Sequence, residues 1–195
     1  MPVLPRKESI TLSAIGIVHD SGFQGLTTRE IARREGISEA ALYRHFKNRS
    51  EIVAAVVAYY AREDRGIVDS IDRLDLGPLE SVGYLFDRLA AYYEEQPAVS
   101  SIMNAFDSMQ YDAEQSRMTT EIYSFRKSAV ERLLRAAEAS GTLREEVDPA
   151  LFSSVIWSAF FSQVFEWRGG GFGYSLRQRT SEALTMLLKM AQKTG

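Results

Sequence analysis

The sequence predicts an all-α chain of about nine helices: a three-helix N-terminal head, residues 1–50, built around a helix-turn-helix, and a larger helical body, residues 51–195. Three observations predict it. Capping residues and glycines recur as helix starts and stops, apolar residues between them repeat every three to four positions, and the strict alternation that strands need is scarce. With 195 residues, 45% of them hydrophobic, the chain can bury a sizeable core in one small and one larger domain.

The first helix is predicted over about Glu8 to Ser21, leaving through Gly22-Phe23 and Gly25-Leu26. Thr27, with Glu30 three residues on, fits a capping box, so a second helix starts near Thr28 and Ile31 opens its apolar stripe. Gly36 stops it, glycine being the residue that enters a left-handed or cramped backbone without steric cost. Ile37 anchors the turn and Ser38 suits the cap of a third helix. At about 100° per residue, Leu42 and Phe46 share one face while Ala40, Arg44 and Lys47 lie roughly opposite, so one side packs and the other stays free. Asn48 with Glu51 resembles a second capping box, opening a long apolar helix over Glu51 to about Ile71.

Leu76-Gly77-Pro78 breaks the body, and Leu79 to about Glu95 resumes it with Leu85, Leu89 and Tyr92 at helical spacing. Further helices are expected over Pro97 to about Met109, Glu114 to Ser140 with Gly141 as its stop, Pro149 to Trp167 behind an Asp148 cap, and Ser175 to Gln192. Between the last two lies the short loop Arg168-Gly169-Gly170-Gly171-Phe172-Gly173. The Pro149 helix is apolar over most of its circumference, which requires burial on more than one side.

Charge divides unevenly. Residues 1–50 carry eight Lys/Arg against five Asp/Glu, a net +3, and the remainder carries −6, so a modestly basic head sits on an acidic body with a chain total of −3. There is no cysteine, which removes disulfides, thiol nucleophiles and thiolate metal sites. The start MPVLPRKESI lacks the apolar core of a signal peptide, and no run approaches the ~18 apolar residues of a membrane span, so no membrane association and a cytoplasmic location are expected.

The run TTREIARREGISEAALYRHFKNRSE resembles the DNA-binding domain of the TetR family of bacterial transcriptional regulators. The matching elements are Thr27-Thr28-Arg29, Gly36-Ile37-Ser38, Leu42-Tyr43-Arg44-His45-Phe46, Arg49 and Ile52, over roughly Lys7 to Val57. The resemblance implies base-reaching positions at Arg29, Glu39, Ala40, Ala41 and Tyr43, and phosphate contacts at Thr28, Tyr43, His45, Lys47 and Arg49. Arg49 stands where the family more often has lysine, and either cation meets a phosphate. The two alanines offer only methyl groups, so hydrogen-bonded readout leans on Arg29, with exposed Arg44 a further candidate and guanine the base such an arginine prefers. Ser38 has two uses open to it, capping the reading helix or touching the DNA backbone, and His45 has two also, packing beside Phe46 or contacting DNA.

The resemblance further implies a C-terminal ligand-binding and dimerisation domain that pairs through its last two helices. Phe152, Ile156, Phe160, Leu184, Leu187 and Leu188 are the candidate dimer residues, and Phe86, Tyr93, Met103, Phe106, Tyr123, Trp157 and Phe161 the candidate pocket residues within a body where most aromatics serve as core. Arg117 and Arg126 on the Glu114 helix could meet an anionic head group, although a solvated face accounts for them more simply. The leading function is a repressor that binds a palindromic, double-stranded DNA operator as a homodimer and is released by a small-molecule effector. A DNA-binding protein of the same fold acting through a protein partner is the alternative. An enzyme is not expected: two histidines, no cysteine, no glycine-rich phosphate loop and no paired-histidine motif leave no catalytic apparatus, and neither cofactor nor metal is implied.

Overall fold

In the computed structural model of the chain, residues 5–193 are described; the first four residues of the MPVLPRKESI start lie outside them. Ten α-helical segments follow one another: α1 (Arg6–Ser21), α2 (Thr28–Glu35), α3 (Glu39–Leu42), α4 (Arg49–Tyr60), α5 (Arg62–Ile71), α6 (Pro78–Glu95), α7 (Pro97–Met109), α8 (Ala113–Ala139), α9 (Pro149–Gly169) and α10 (Leu176–Ala191). One 3-10 turn at Phe23–Gly25 follows α1, and among the described residues the β pairing is a single antiparallel bridge, Leu143 to Gln192. The one helix expected over residues 51–71 is broken at Ala61, whose ψ of 4° leaves the helical range, and this break accounts for the tenth segment.

The chain divides into two compact units, one running up to Arg62 together with Gln96–Ile122, the other Glu63–Glu95 with Tyr123 onward. In the first, α1 is the hub, packing on α2, α4 and α7. It can do so because Ile10, Ala14, Ile17 and Val18 recur at helical spacing and are buried, as are Ile31, Val53 and Val57 of α2 and α4. In the second unit α10 packs against α6 and α9. Its centre is aromatic: Phe86 lies 4.7 Å from Trp157 and 5.2 Å from Phe160, and Tyr93 lies 5.9 Å from Phe160.

Arg126 is not on a solvated face. Its side chain is 4% exposed, as is that of Asp64, and the two form a bidentate pair, Nε to Oδ2 at 2.7 Å and Nη2 to Oδ1 at 2.8 Å. Arg117, by contrast, is exposed and pairs with Glu121 one turn along the same helix at 2.6 Å.

Candidate nucleic-acid interface

The helix-turn-helix is assembled by local caps. The Thr27 hydroxyl accepts from the Glu30 N–H at 3.1 Å, starting α2. The reciprocal arm of the expected capping box is missing: the Thr27 N–H donates to the Gly25 carbonyl at 2.9 Å, and the Glu30 carboxylate turns to Arg33 at 2.7 Å and Arg34 at 3.2 Å. Gly36 closes α2 at φ 64°, ψ 33°, with the Ile37 N–H returning to the Ala32 carbonyl at 3.0 Å. Ser38 settles on its capping use, accepting from the Ala41 N–H at 3.1 Å.

The reading helix α3 is a single α-turn that tightens rather than continues. The Arg44 N–H reaches back to Ala41 at 3.3 Å and the His45 N–H to Leu42 at 2.9 Å, three residues each, before the chain leaves at Phe46. Leu42 and Phe46, 0% and 1% exposed, anchor one side. On the other side Ser38, Glu39, Ala40, Tyr43, Arg44 and Lys47 are exposed, joined by Arg29 from α2, while Thr28, Ala41 and His45 are half-buried.

The cations of the head fall into two groups. Arg33 and Arg34 are held by Glu30, with Arg34 also 2.8 Å from Asp20. Arg6 pairs with Glu35 at 3.2 Å and Lys7 with Glu51 at 2.8 Å. Arg49 donates through Nε to the Leu26 carbonyl at 2.9 Å with its guanidinium 5.1 Å from the Phe23 ring, so it braces the start of α4 against the turn after α1. Among the described residues, the side chains of Arg29, Tyr43, Arg44, His45 and Lys47 have no hydrogen-bond or ion-pair partner. Glu39 stands among them with its carboxylate accepting from the Thr28 hydroxyl at 2.7 Å, which places the starts of α2 and α3 side by side.

Two carboxylates stabilise this frame as anions. Arg33, then Arg34, hold Glu30 down to about 2 from an ordinary 4.5, and Lys7, then the Lys47 N–H, lower Glu51. Because both values are depressed on folding, the stabilisation is complete above 4.5 and is lost as pH falls below it, for Glu30 toward about 2. Hydrogen exchange of the Lys47 amide, which donates to Glu51 at 2.6 Å, should therefore quicken relative to amides at the centre of α4 as pH falls through the interval in which Glu51, lowered from 4.5, takes up its proton. Equal protection of both at its two ends would contradict the assignment.

Residues 10–56 match the family model described as bacterial regulatory proteins, tetR family. Those residues, the head of the chain, are therefore a TetR-type regulatory domain. The TetR likeness extends past the head. The nucleoid occlusion factor SlmA of Shewanella loihica is 25% identical over 160 residues, 80% of this chain and 79% of that protein. Among solved structures, the ketosteroid transcriptional regulator KstR2 of Mycobacterium tuberculosis superposes with a TM-score of 0.78 at 22% identity, covering 99% of this chain and 98% of that one. The transcriptional regulator FadR of Bacillus subtilis, solved in complex with stearoyl-CoA, gives 0.80 at 17% identity, covering 94% and 98%. At such identities the solved structures establish the TetR fold of the whole chain and nothing finer.

In the body, the candidate pocket residues are divided between the two units. Phe86, Tyr93 and Trp157 are buried in the aromatic centre of the second unit, with Phe161 half-buried 5.7 Å from Trp157. Met103 and Phe106 belong to the first unit, where Phe106 meets Tyr60 edge-on at 5.3 Å, and Tyr123 is 39% exposed. The candidate dimer residues differ in exposure. Ile156, Phe160 and Leu184 are at most 4% exposed and serve their own core, whereas Phe152, Leu187 and Leu188 are half-buried. The apolar residues that α9 and α10 leave outside are Leu151, Val155, Phe165, Met186 and Met190. Sequence periodicity missed them because α9 is apolar on nearly every side, so no face stands out. The remaining signal is the spacing of Leu151 and Val155, one turn apart on a single stripe.

Proposed function

We propose that residues 1–50 act as the DNA-binding head and residues 51–195 as the ligand-binding and dimerisation body of a homodimeric repressor, which a small molecule releases from a palindromic operator. The observation that carries this reading is the row of exposed, unpartnered side chains, Arg29, Tyr43, Arg44 and Lys47, on the free side of a reading helix whose other side is locked in core. Arg29 and Arg44 would read bases, while Lys47 and Tyr43 would meet phosphates. Thr28, Glu39, Ala40, Ala41 and His45 complete the surface, with Ser38 and Arg49 holding its frame.

A single one-turn reading helix spans few base pairs, so selectivity calls for two heads on a two-fold site. Support for the pairing comes from α9 and α10, where Leu151, Phe165, Met186 and Met190 are each 60% or more exposed. Substituting both Leu151→Glu and Phe165→Glu should leave the helical content unchanged and convert a dimer to a monomer in sedimentation at micromolar concentration, with operator affinity lowered at least ~100-fold through the lost second head. A double variant that still sediments as a dimer would remove α9 from the interface.

The effector is supported by the fold shared with a FadR solved with stearoyl-CoA. A second reading, action through a protein partner, is favoured by the likeness to a nucleoid occlusion factor and by the small volume, about 10 Å³, of the cavity beside Arg126. The test is a thermal-shift screen of acyl-CoA thioesters, free fatty acids and hydrophobic drugs on the full chain, followed by operator release. A saturating ligand at about 100 times its Kd contributes roughly 2.7 kcal/mol to the folded state. Compounds that raise the melting temperature and release the operator establish the repressor reading, whereas an operator complex indifferent to all of them favours the partner.

A further inference from the structure

We propose that the buried Arg126–Asp64 pair is a carboxylate-exchange site, at which an amphipathic monocarboxylate takes the place of Asp64 on the Arg126 guanidinium and lodges its apolar part among Ile67, Leu85, Leu89 and Phe125. The inference rests on the ligand-responsive reading above and names the chemistry of the ligand.

The two halves of the pair are held very differently. Arg126 lies within the 27-residue α8, its backbone carbonyl accepts from Trp157 Nε1 at 3.2 Å, its guanidinium carbon sits 5.8 Å from the Trp157 ring, and Nη1 lies 3.4 Å from the Tyr93 hydroxyl. Asp64 is the third residue of the ten-residue α5, which starts directly after the break at Ala61. Gly66 follows two residues later, and a Cβ there would meet nothing within 4 Å, so no close approach requires the glycine. Inside a helix it forfeits roughly 0.5–1 kcal/mol relative to alanine. The cation is therefore fixed and the anion stands on the more easily displaced wall.

The surroundings select the incoming group. The cavity beside the pair encloses about 10 Å³, room for about one water, and apart from Asp64 and Arg126 its lining is apolar or aromatic. Withdrawing the Asp64 side chain to solvent enlarges it. A neutral ligand would leave Arg126 buried without a counter-charge, and a phosphate dianion would leave a net negative charge among apolar side chains, each at a desolvation cost. A monocarboxylate matches both oxygens to Nε and Nη2 as Asp64 does and leaves the charge of the site unchanged.

The experiment titrates octanoate, decanoate and phenylbutyrate, each beside its primary amide, into the full-length wild type, Asp64→Asn and Arg126→Gln by calorimetry. The wild type should bind at least one acid about tenfold tighter than its amide. Asp64→Asn, freed of the internal competitor, should tighten that acid about tenfold further without changing the amide. Arg126→Gln should erase the difference. The proposal is overturned if acid and amide bind the wild type alike, if Asp64→Asn gains nothing, or if no probe binds either protein. The wild-type comparison stands even where a variant fails to fold. Operator release caused equally by amides would sink this site while leaving the ligand-responsive reading intact; acids that bind through Arg126 without releasing the operator would do the reverse.

Discussion

Replacing Arg126 with methionine should lower the unfolding free energy by about 3–5 kcal/mol, the usual cost of removing one partner from a buried ion pair. The magnitude follows from what remains: an Asp64 carboxylate 4% exposed, facing Leu85, Leu89 and Trp157, with no cation to offset its desolvation. Trp157 also loses the guanidinium beside its ring. Pairing Arg126→Met with Asp64→Leu should recover most of the loss, because two apolar side chains of comparable volume need no charge compensation. Equilibrium denaturation of the two single variants and the double variant measures this directly. A double variant no more stable than Arg126→Met would mean that Arg126 contributes through packing rather than through its pair.

On the DNA side, replacing Arg29 and Arg44 together by alanine should abolish sequence selectivity while sparing much of the non-selective affinity. A bidentate arginine-to-guanine contact contributes about 1–3 kcal/mol of discrimination in each half-site, so a dimer loses it twice. Lys47→Ala should act differently, weakening binding to every sequence alike and reducing the slope of log K against log salt by roughly one per head. The contrast rests on geometry: these side chains stand exposed and unpartnered, whereas Arg33 and Arg34, equally basic, are tied to Glu30. Arg33→Ala therefore serves as the control that removes a charge without removing a reader. Competition binding with matched and scrambled duplexes separates the outcomes, and undiminished selectivity in the Arg29/Arg44 variant would displace the reading surface from α2 and α3.

Helix boundaries were legible in the sequence because they are set locally. Thr27, Ser38, Asn48, Asp148 and Ser175 each cap the helix that follows, and Gly36 and Gly141 adopt positive φ where their helices stop. The family was legible for the same reason, since its motif lies in the caps and turns of residues 27–52. What escaped were properties that depend on distant partners. Arg126 has the sequence context of a solvated cation, and only Asp64, 62 residues away, explains its burial. The outward face of α9 could not be chosen from a helix apolar all round, where Ile156 and Phe160 are buried and Leu151 and Phe165 exposed. Glu30 and Glu51 complete only half of their expected capping boxes because arginine and lysine side chains compete for their carboxylates.

Selection of duplexes from a random library by the full-length protein tests the central claim most directly. A two-fold dimer reading through Arg29 and the α3 surface predicts enrichment of an inverted repeat, with a G·C pair in each half-site and half-site centres about one helical turn, roughly 34–36 Å, or a multiple of it apart. Enrichment of no sequence, or of an isolated half-site without two-fold symmetry, would contradict it.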